Sequence, residues 1–491
     1  MSVADLAVIA PFVAVVLVAV AVIVADIVAP GNARLAVGVS LLGLAVTAVL
    51  VVWAGTTPGT AFGGTYRVDD LTTYLDLIFV AIVALTVLFG PDYLVPRGLP
   101  VPEFAALLVF ALAGAMLVAA SADLLVLFLG LELMVIPGYL LAGYHKRDAL
   151  STEGAVKYFL LGSFSSAIFL FGLAYVWGLT GSTRIDDVAG ALGAIVEGQA
   201  ALSPGLALGL AFLTTGVAFK IAAVPFHYWT PDAYQGSPTP ITGYLSVGPK
   251  IGAFAVILRV FAEALGPLRE EWVIVFFVLA ALTMTLGNLV ALTQDNVKRM
   301  LAYSSIAHTG YMLVGLTAYA AGQIEGLEGL LFYSAAYTFM NLGAFAVIAA
   351  LQKRPGVTSR LETFAGLGRR EPLLGILMVL FLLSLTGIPP TAGFFGKAYV
   401  ILAAVEGGGW LTLLAVIAVL NAAAAAFYYL RVVVYMYMRE AQGEQAPVAH
   451  GVLLRAGLAI TAAVTVLLGL FPGPLLESVG AAAAAVGAAL P

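Results

Sequence analysis

The hydrophobic pattern of this chain consists of long apolar segments separated by short polar connections. A helix needs about 20 apolar residues to cross the hydrocarbon core of a membrane. Segments of this kind recur along the chain and are too long and too uniformly apolar for the strands of a membrane barrel. The pattern predicts an all-α polytopic membrane protein, with residues 226–240 forming a short half-helix or loop. Fourteen spans are predicted, over residues 7–28, 33–54, 71–90, 103–120, 122–143, 155–178, 204–224, 241–262, 272–290, 301–320, 328–351, 372–398, 409–437 and 451–471.

Two of the predicted spans contain a helix break. The seventh is interrupted at Pro225, and the twelfth contains Pro389 and Pro390. A proline inside a helix leaves a carbonyl group without its partner, and lipid cannot supply one, so such breaks occur where protein or a water-filled cavity surrounds them. We therefore predict that helices 7 and 12 are discontinuous in the protein interior, each with a lysine nearby, Lys220 and Lys397.

Lysine and arginine are concentrated in alternate connections, and cytoplasmic connections carry an excess of these residues. The connections after even-numbered spans hold little beyond Arg67, Arg184 and Arg269. The odd-numbered connections are therefore predicted to face the cytoplasm, with both termini on the other side. The first apolar run follows Asp5 without a preceding lysine or arginine and is too long for a signal peptide, which predicts an uncleaved first span.

A short motif occurs twice in the apolar part of the chain, as GYLLAG over Gly138–Gly143 and as GYMLVG over Gly310–Gly315. In both copies a Glu-Gly pair follows 14 residues after the tyrosine. The repeated unit would be five helices long, and an odd number of helices inverts the second copy in the membrane. The predicted segments are an N-terminal three-helix segment (1–100), a first repeat of spans 4–8 (101–265), an inverted repeat of spans 9–13 (266–440) and a C-terminal helix with a short tail (441–491).

The composition limits the chemistry that this chain can perform. Of the residues 62% are hydrophobic and 10% are charged, and the net charge of −5 includes no basic tract, which argues against nucleic-acid binding. The absence of cysteine excludes disulfides, thiolate-bound iron–sulfur clusters and c-type haem. No nucleotide-binding glycine motif occurs, and the four histidines lack metal-ligand spacing. We expect no cofactor or metal on this chain.

Several ionisable residues lie inside the predicted spans. A charge at the membrane centre costs about 2.5–3.5 kcal/mol on insertion scales, and such residues usually mark an ion path. Lysine suits proton transfer because burial weakens its hold on a proton and a nearby carboxylate strengthens it, whereas arginine stays protonated. The residues predicted to transfer protons are Glu132, Lys157, Lys220, Lys250, His308 and Lys397. His227, just after the first break, is a further candidate, and a structural link between the half-helix and the loop is an equal alternative for it.

Structural roles are the alternative for most of these residues. Lys157 lies close to the start of its span and could extend to the membrane surface. Lys220 and Lys397 could cap broken helix ends, where cations are favourable, and His308 could be a packed, hydrogen-bonded histidine. Lys250 is roughly nine residues inside its span, about 13 Å at the rise of an α-helix. Its ammonium is therefore too deep to extend to the membrane surface. Three acidic residues near the start of the third span are interpreted as interfacial or as a subunit contact: Asp69, Asp70 and Asp76.

Three long stretches of the chain resemble a known family. They are FKIAAVPFHYWTPDAYQGSPTP, VKRMLAYSSIAHTGYML and GIPPTAGFFGKAYV. They are similar to the antiporter-like membrane subunits of respiratory complex I, and the resemblance covers essentially the whole chain. Subunits of Mrp-type antiporters and of membrane-bound hydrogenases share the first two stretches more loosely. Some members of this family carry glutamate at the position of the lysine in GFFGK, and this chain resembles the complex I subunits that do not. A short Ala-rich tail follows the last span, and no lateral C-terminal arm is expected.

The resemblance implies a role for each candidate residue. Glu132 would pair with Lys220, Lys250 would connect two half-channels, and Lys397 would stand at the exit side. Lys157 and His308 would relay protons between them through water. NADH, FMN, iron–sulfur clusters and quinone would be bound by partner subunits, whose quinone reduction drives proton transfer here. The resemblance also implies a bacterial cytoplasmic (inner) membrane and contacts with other antiporter-like and small helical membrane subunits.

Two other functions remain open from the sequence. A stand-alone antiporter of the Mrp type would exchange protons for sodium as an isolated chain, whereas a complex I subunit would be inert by itself. A purely structural subunit would have silent, paired lysines, and charge-neutral substitutions would then spare turnover and proton pumping.

Overall fold

The computed structural model describes residues 3–197, 202–441 and 449–487, and these form nineteen α-helices. Parts of the predicted C-terminal segment, residues 442–448 and 488–491, lie outside the described residues. The helices are α1 (Val3–Val28), α2 (Ala33–Gly55), α3 (Asp70–Leu94), α4 (Val101–Ala119), α5 (Leu124–Ala142), α6 (Ala149–Thr180), α7 (Ile185–Glu197), α8 (Pro204–Lys220), α9 (Trp229–Gly236), α10 (Thr239–Ile257), α11 (Arg269–Ala291), α12 (Val297–Ala320), α13 (Ile324–Leu351), α14 (Leu367–Arg370), α15 (Pro372–Thr386), α16 (Ala392–Glu406), α17 (Gly409–Met438), α18 (Val452–Leu470) and α19 (Gly473–Gly487).

The prediction of a polytopic helical membrane protein is confirmed. Within the described ranges, eleven helical segments are long and apolar enough to cross a membrane. The other three predicted spans fall on α8 and α15, which are apolar but shorter, and on α12, which is fully helical but carries more polar residues. The predicted twelfth span is not one helix, because α15 ends at Thr386 and α16 begins at Ala392, on either side of the two prolines.

Several elements were not predicted from the hydrophobic pattern. A hairpin of two short antiparallel strands, β1 (Gly59–Ala61) and β2 (Tyr66–Val68), lies between α2 and α3, so the chain is not purely helical. Helix α7 follows α6 and buries Ile185, Val188 and Leu192 along one face. It is short and amphipathic, so a search for long apolar segments does not detect it. A π-helical turn, Leu258–Ala264, extends α10.

The polar helices occupy the centre of the molecule and the uniformly apolar helices surround them. Every residue of α10 is buried, as are most residues of α12 and α13. In contrast, α1 and α2 expose large apolar side chains such as Leu17 and Val49. This is the arrangement expected in lipid, where apolar side chains face the hydrocarbon and polar groups must find partners inside the protein.

The first helix break is satisfied by side chains of neighbouring helices. After α8 ends, Ala222 adopts a left-handed conformation (φ 58°). The Ile221 carbonyl accepts a hydrogen bond from the Thr309 hydroxyl of α12 at 2.8 Å. The backbone N–H of Val224 donates to the Thr283 hydroxyl of α11 at 3.0 Å. The break therefore lies in the protein interior, as predicted, and α11 and α12 replace the hydrogen bonds that the helix has lost.

We expect Thr309→Val to destabilise the chain by about 1–3 kcal/mol, because it leaves the buried Ile221 carbonyl without a partner. The measurement is the unfolding free energy of the purified chain in mixed micelles. Thr317→Val is the matched control, since Thr317 is equally buried in α12 but donates to the Leu313 carbonyl of its own helix. Equal effects of the two substitutions would show that the Thr309 hydrogen bond does not support the break.

Candidate proton-transfer site

The ammonium group of Lys220 is buried between α5 and α6. It donates to the Ser166 hydroxyl at 2.7 Å and to the Tyr139 hydroxyl at 3.3 Å. The nearer oxygen of Glu132 lies 3.9 Å away, within ion-pair distance, but that buried oxygen has no hydrogen-bond partner in the described chain. The two charges therefore attract each other without a direct hydrogen bond, and a small movement of Glu132 changes how strongly the charged form of Lys220 is stabilised.

Lys250 lies in the middle of α10 and meets only neutral groups. Its ammonium donates to the carbonyl and to the hydroxyl of Ser305, both at 2.5 Å, and lies 5.8 Å from the ring centroid of Tyr337. Among the described residues, none of the ion pairs within 4 Å involves Lys250. No fixed negative charge thus holds this lysine in its charged form.

The imidazole of His308 has a tyrosine hydroxyl at each nitrogen. Nδ1 lies 2.6 Å from the Tyr333 hydroxyl and Nε2 lies 3.1 Å from the Tyr429 hydroxyl. The Tyr429 hydroxyl also contacts the Ser304 hydroxyl. Each hydroxyl can donate or accept, so the ring can take up a proton on one side and release one on the other. The same contacts fit the structural alternative of a packed, hydrogen-bonded histidine.

Lys397 caps the helix that precedes the second break. Its ammonium donates to the carbonyls of Leu385 and Thr386 at 2.9 and 2.8 Å, and these are the last carbonyls of α15. It also lies 4.8 Å from the ring centroid of Tyr311. These contacts are those of a helix cap, and they are compatible with either role of Lys397. The ammonium of Lys220, in contrast, bonds to side chains of other helices.

One polar turn of α12 joins the buried groups. Ser305 binds Lys250, and Tyr311, two turns further along, lies beside the ammonium of Lys397. Thr309 binds the carbonyl next to Lys220. The described structure thus brings four predicted residues, Lys220, Lys250, His308 and Lys397, to a single segment of α12.

Lys157 is not buried within this chain. Its side chain is 43% exposed, and its ammonium binds Glu153 and Asp232, each at 2.6 Å. Asp232 also binds Arg299 at 2.7 Å. Burial alone would raise the pKa of Asp232, but the hydrogen bonds from Lys157 and Arg299 outweigh it and hold the pKa below its usual value. Lys157 therefore lies in an ion-pair cluster with Glu153 and Asp232.

His227 follows the first break and is buried, with its ring stacked on Tyr228 at a centroid distance of 4.7 Å. Its Nδ1 atom has no hydrogen-bond partner in the parts of the chain that the structure covers. Within those parts, no hydrogen bond or ring contact joins His227 to the four residues around α12.

The sequence analysis missed a buried ion-pair cluster at the other end of α10. Arg259 and Glu263 lie one turn apart and bind each other at 2.5 Å, and Arg259 also binds Asp69 at 2.9 Å. Two opposite charges four residues apart in an apolar segment could have indicated this pair. Burial acts to raise the pKa of Asp69, but Arg259, the Thr72 backbone N–H and Arg67 outweigh it and hold the pKa below its usual range. Asp76 is fully buried, so its interpretation as an interfacial residue is wrong.

Lys298 was also missed as a buried cation. Its ammonium donates to the carbonyls of Gln235 and Ser237, at 3.2 and 2.5 Å, and so caps the end of α9. Across the residues with described positions, no group of three or more histidine, cysteine or acidic side chains is arranged to hold a metal ion. The chemistry available in the buried region is therefore that of amines, hydroxyls, carboxylates and imidazole.

Residues 121–422 match the family described as NADH:quinone oxidoreductase/Mrp antiporter, TM. The NADH-quinone oxidoreductase subunit N of Trichlorobacter lovleyi is 40% identical over 445 residues, which are 89% of this chain and 88% of the relative. The subunit N of Chloroflexus aggregans is 42% identical over 481 residues, 97% and 96% of the two chains. A chain of respiratory complex I from Thermus thermophilus with bound aureothin superimposes with a TM-score of 0.79 at 33% identity, covering 96% of this chain and 99% of that one. The fold buries the lysine row, which consists of Lys220, Lys250 and Lys397. This chain belongs to the NADH:quinone oxidoreductase/Mrp antiporter family and, within it, to the subunit N proteins.

Proposed function

We propose that this chain translocates protons as a membrane subunit of an NADH-quinone oxidoreductase. The observation that carries the proposal lies in the turn of α12 that contains His308. Ser305 of this turn binds Lys250, and Thr309 binds the carbonyl beside Lys220. Polar groups of this kind are costly in a membrane, and residues that serve only packing could be apolar. The 40% identity of this chain to a subunit N protein over most of its length supports the same function.

The proposed transfer begins at the pair of Glu132 and Lys220. While Glu132 stays close, it stabilises the charged ammonium, and when it moves away the proton of Lys220 is released toward Lys250. The proton then passes by way of Ser305 and His308 to Lys397, helped by water. Moving one charge against 100 mV requires about 2.3 kcal/mol, so an external driver is needed. Quinone reduction on partner subunits is the proposed driver.

We also propose that fourteen spans and two inverted five-helix repeats underlie this arrangement, with the four segments as predicted above. Both copies of the repeated motif place their tyrosine beside the lysine of a broken helix. Lys220 lies 5.9 Å from the ring centroid of Tyr139, and Lys397 lies 4.8 Å from that of Tyr311. An inverted repeat accounts for this correspondence, because related helices then present related faces to the interior.

The remaining parts of the proposal rest on the sequence and on the resemblance to the family. Proton transfer by Lys157 is proposed from the resemblance, and proton transfer by His227 is proposed from its position just after the first break. NADH, FMN, iron–sulfur clusters and quinone are proposed for partner subunits, and no cofactor for this chain. The proposed location is a bacterial inner membrane with both termini on the non-cytoplasmic side.

We expect Lys220→Met and Lys220→Arg both to lower proton pumping about tenfold or more in proteoliposomes that contain the assembled complex. Methionine removes the charge, and arginine keeps the charge but does not release its proton. If Lys220 served only as a static charge, Lys220→Arg would pump normally at equal assembly, and the proposed role of Lys220 would be wrong.

Co-purification of a flavin- and iron-containing assembly with the tagged chain tests whether this chain is part of an NADH-quinone oxidoreductase.

The second candidate function is cation/proton exchange of the Mrp type, which the joint description of the matching family favours. It requires the isolated chain in liposomes to exchange sodium for protons. We expect no exchange by the isolated chain, and sodium-dependent proton flux in that preparation would favour the antiporter instead.

A further inference from the structure

A closed ring of ion pairs lies beside the β-hairpin, at the opposite end of α10 from the α9–α10 connection. Arg67 binds Asp69 at 3.1 Å and Glu263 at 2.5 Å. Arg259 binds the same two carboxylates, at 2.9 and 2.5 Å. Each cation thus meets both anions and each anion meets both cations. Two positive and two negative charges balance, so the ring has no net charge to offer to another group.

Asp76 lies next to this ring but does not belong to it. It is seven residues after Asp69 in α3, about two turns along the same face of the helix. Its side chain is buried, with 2% of the residue exposed, and its Oδ1 atom has no hydrogen-bond partner in the described residues. The hydroxyl of Tyr66 is also buried and unpaired, and it lies within electrostatic range of Asp76.

We propose that Asp76 binds a proton, and that it forms a second proton-binding site separate from the lysine row. An ionised Asp76 would add an uncompensated negative charge to a neutral ring in a membrane interior, which is strongly unfavourable. The charged groups that act on Asp76 are Asp69, with the same sign, and Arg259, which is already bound to both ring carboxylates. A proton neutralises Asp76 and lets it donate a hydrogen bond.

Polar groups connect the ring to the surface. Thr72 lies between Asp69 and Asp76 in the sequence, on the same face of the helix, and its hydroxyl donates to Asp69 at 2.8 Å. Arg67 is 23% exposed, and it lies 3.9 Å from Asp186, which is 70% exposed. The proposed exchange of the Asp76 proton is with the side of the membrane that holds the connection between α2 and α3.

This inference goes beyond the proposed function, and its test does not depend on proton pumping. In the infrared spectrum of the detergent-purified complex, we expect a carboxylic-acid C=O band that is lost in Asp76→Asn and shifts in heavy water. Asp70→Asn is the matched control, because Asp70 is an exposed carboxylate at the start of the same helix, and it should leave the band unchanged.

Three outcomes would overturn the inference. An Asp76→Asn spectrum that keeps the carboxylic-acid C=O band of the intact complex would show that Asp76 does not carry the proton. Loss of the band when potassium chloride is replaced by sodium chloride would show that sodium displaces the proton, and that result would assign a sodium site instead. Should Asp76→Asn fail to assemble, Asp76→Glu keeps the acid and must show a displaced band; an undisplaced band would exclude Asp76 as its source.

Discussion

Replacing Lys250 by methionine is expected to lower proton translocation by the assembled complex about tenfold or more, equivalent to at least about 1.4 kcal/mol on the transfer barrier. Methionine has a similar length but no proton to transfer. Lys250 is the only lysine of the row whose ammonium binds both the carbonyl and the hydroxyl of a residue in the central turn of α12. Its loss therefore interrupts the row between Lys220 and His308. Proton uptake by proteoliposomes, driven by NADH and quinone, measures the effect.

The control for this substitution is Lys146→Met. Lys146 is an exposed lysine in the connection between α5 and α6, so its replacement should leave translocation unchanged. Normal pumping by a fully assembled Lys250→Met complex would remove Lys250 from the proton path and would favour a structural role for the buried lysines.

Replacing Arg259 by methionine is expected to destabilise the chain by about 3–5 kcal/mol, the range found when one partner of a buried ion pair is removed. The substitution leaves Asp69 and Glu263 to share Arg67 alone, and it leaves the Ala119 carbonyl, which Arg259 also binds, with only the hydroxyl of Thr72 as a side-chain donor in the described structure. Thermal unfolding of the purified complex and the amount of chain that assembles both report this loss.

A second substitution tests whether charge balance is the cause. Adding Glu263→Gln to Arg259→Met removes one charge of each sign, so the double variant should be more stable than Arg259→Met alone. Arg455→Met is the surface control, since Arg455 is exposed and, among the described residues, donates its side-chain hydrogen bonds to the His450 carbonyl. An Arg259→Met chain that unfolds like the unmodified one would show that the ring contributes nothing to stability.

Much of the fold and part of the site could be predicted from the apolar pattern. A hydrophobic segment enters the membrane largely according to its own composition, so eleven spans and the two helix breaks could be located without tertiary contacts. Lys250 lies deep inside such a segment, and its burial follows from its position. The same reasoning failed for α7, whose apolar face is too short to span a membrane.

Lys157 and Asp76 show where the prediction from sequence reached its limit. Both lie within helices that cross the membrane, yet Lys157 is partly exposed and paired with two carboxylates, whereas Asp76 is buried with an unpaired oxygen. The side of a helix that faces the interior depends on how its neighbours pack against it. The composition of one segment does not indicate which helices pack against it.

The sequence by itself determined that this is a helical membrane protein with ionisable groups at membrane depth, because the cost of exposing apolar or charged groups depends on local composition. The tertiary structure decided which of these groups meet. The turn of α12 that joins Lys220, Lys250 and Lys397, and the ring that joins Arg67 to Glu263 across 196 positions, arise only when distant helices pack together. Electrostatic partners are chosen by distance in space, and that distance is fixed by packing.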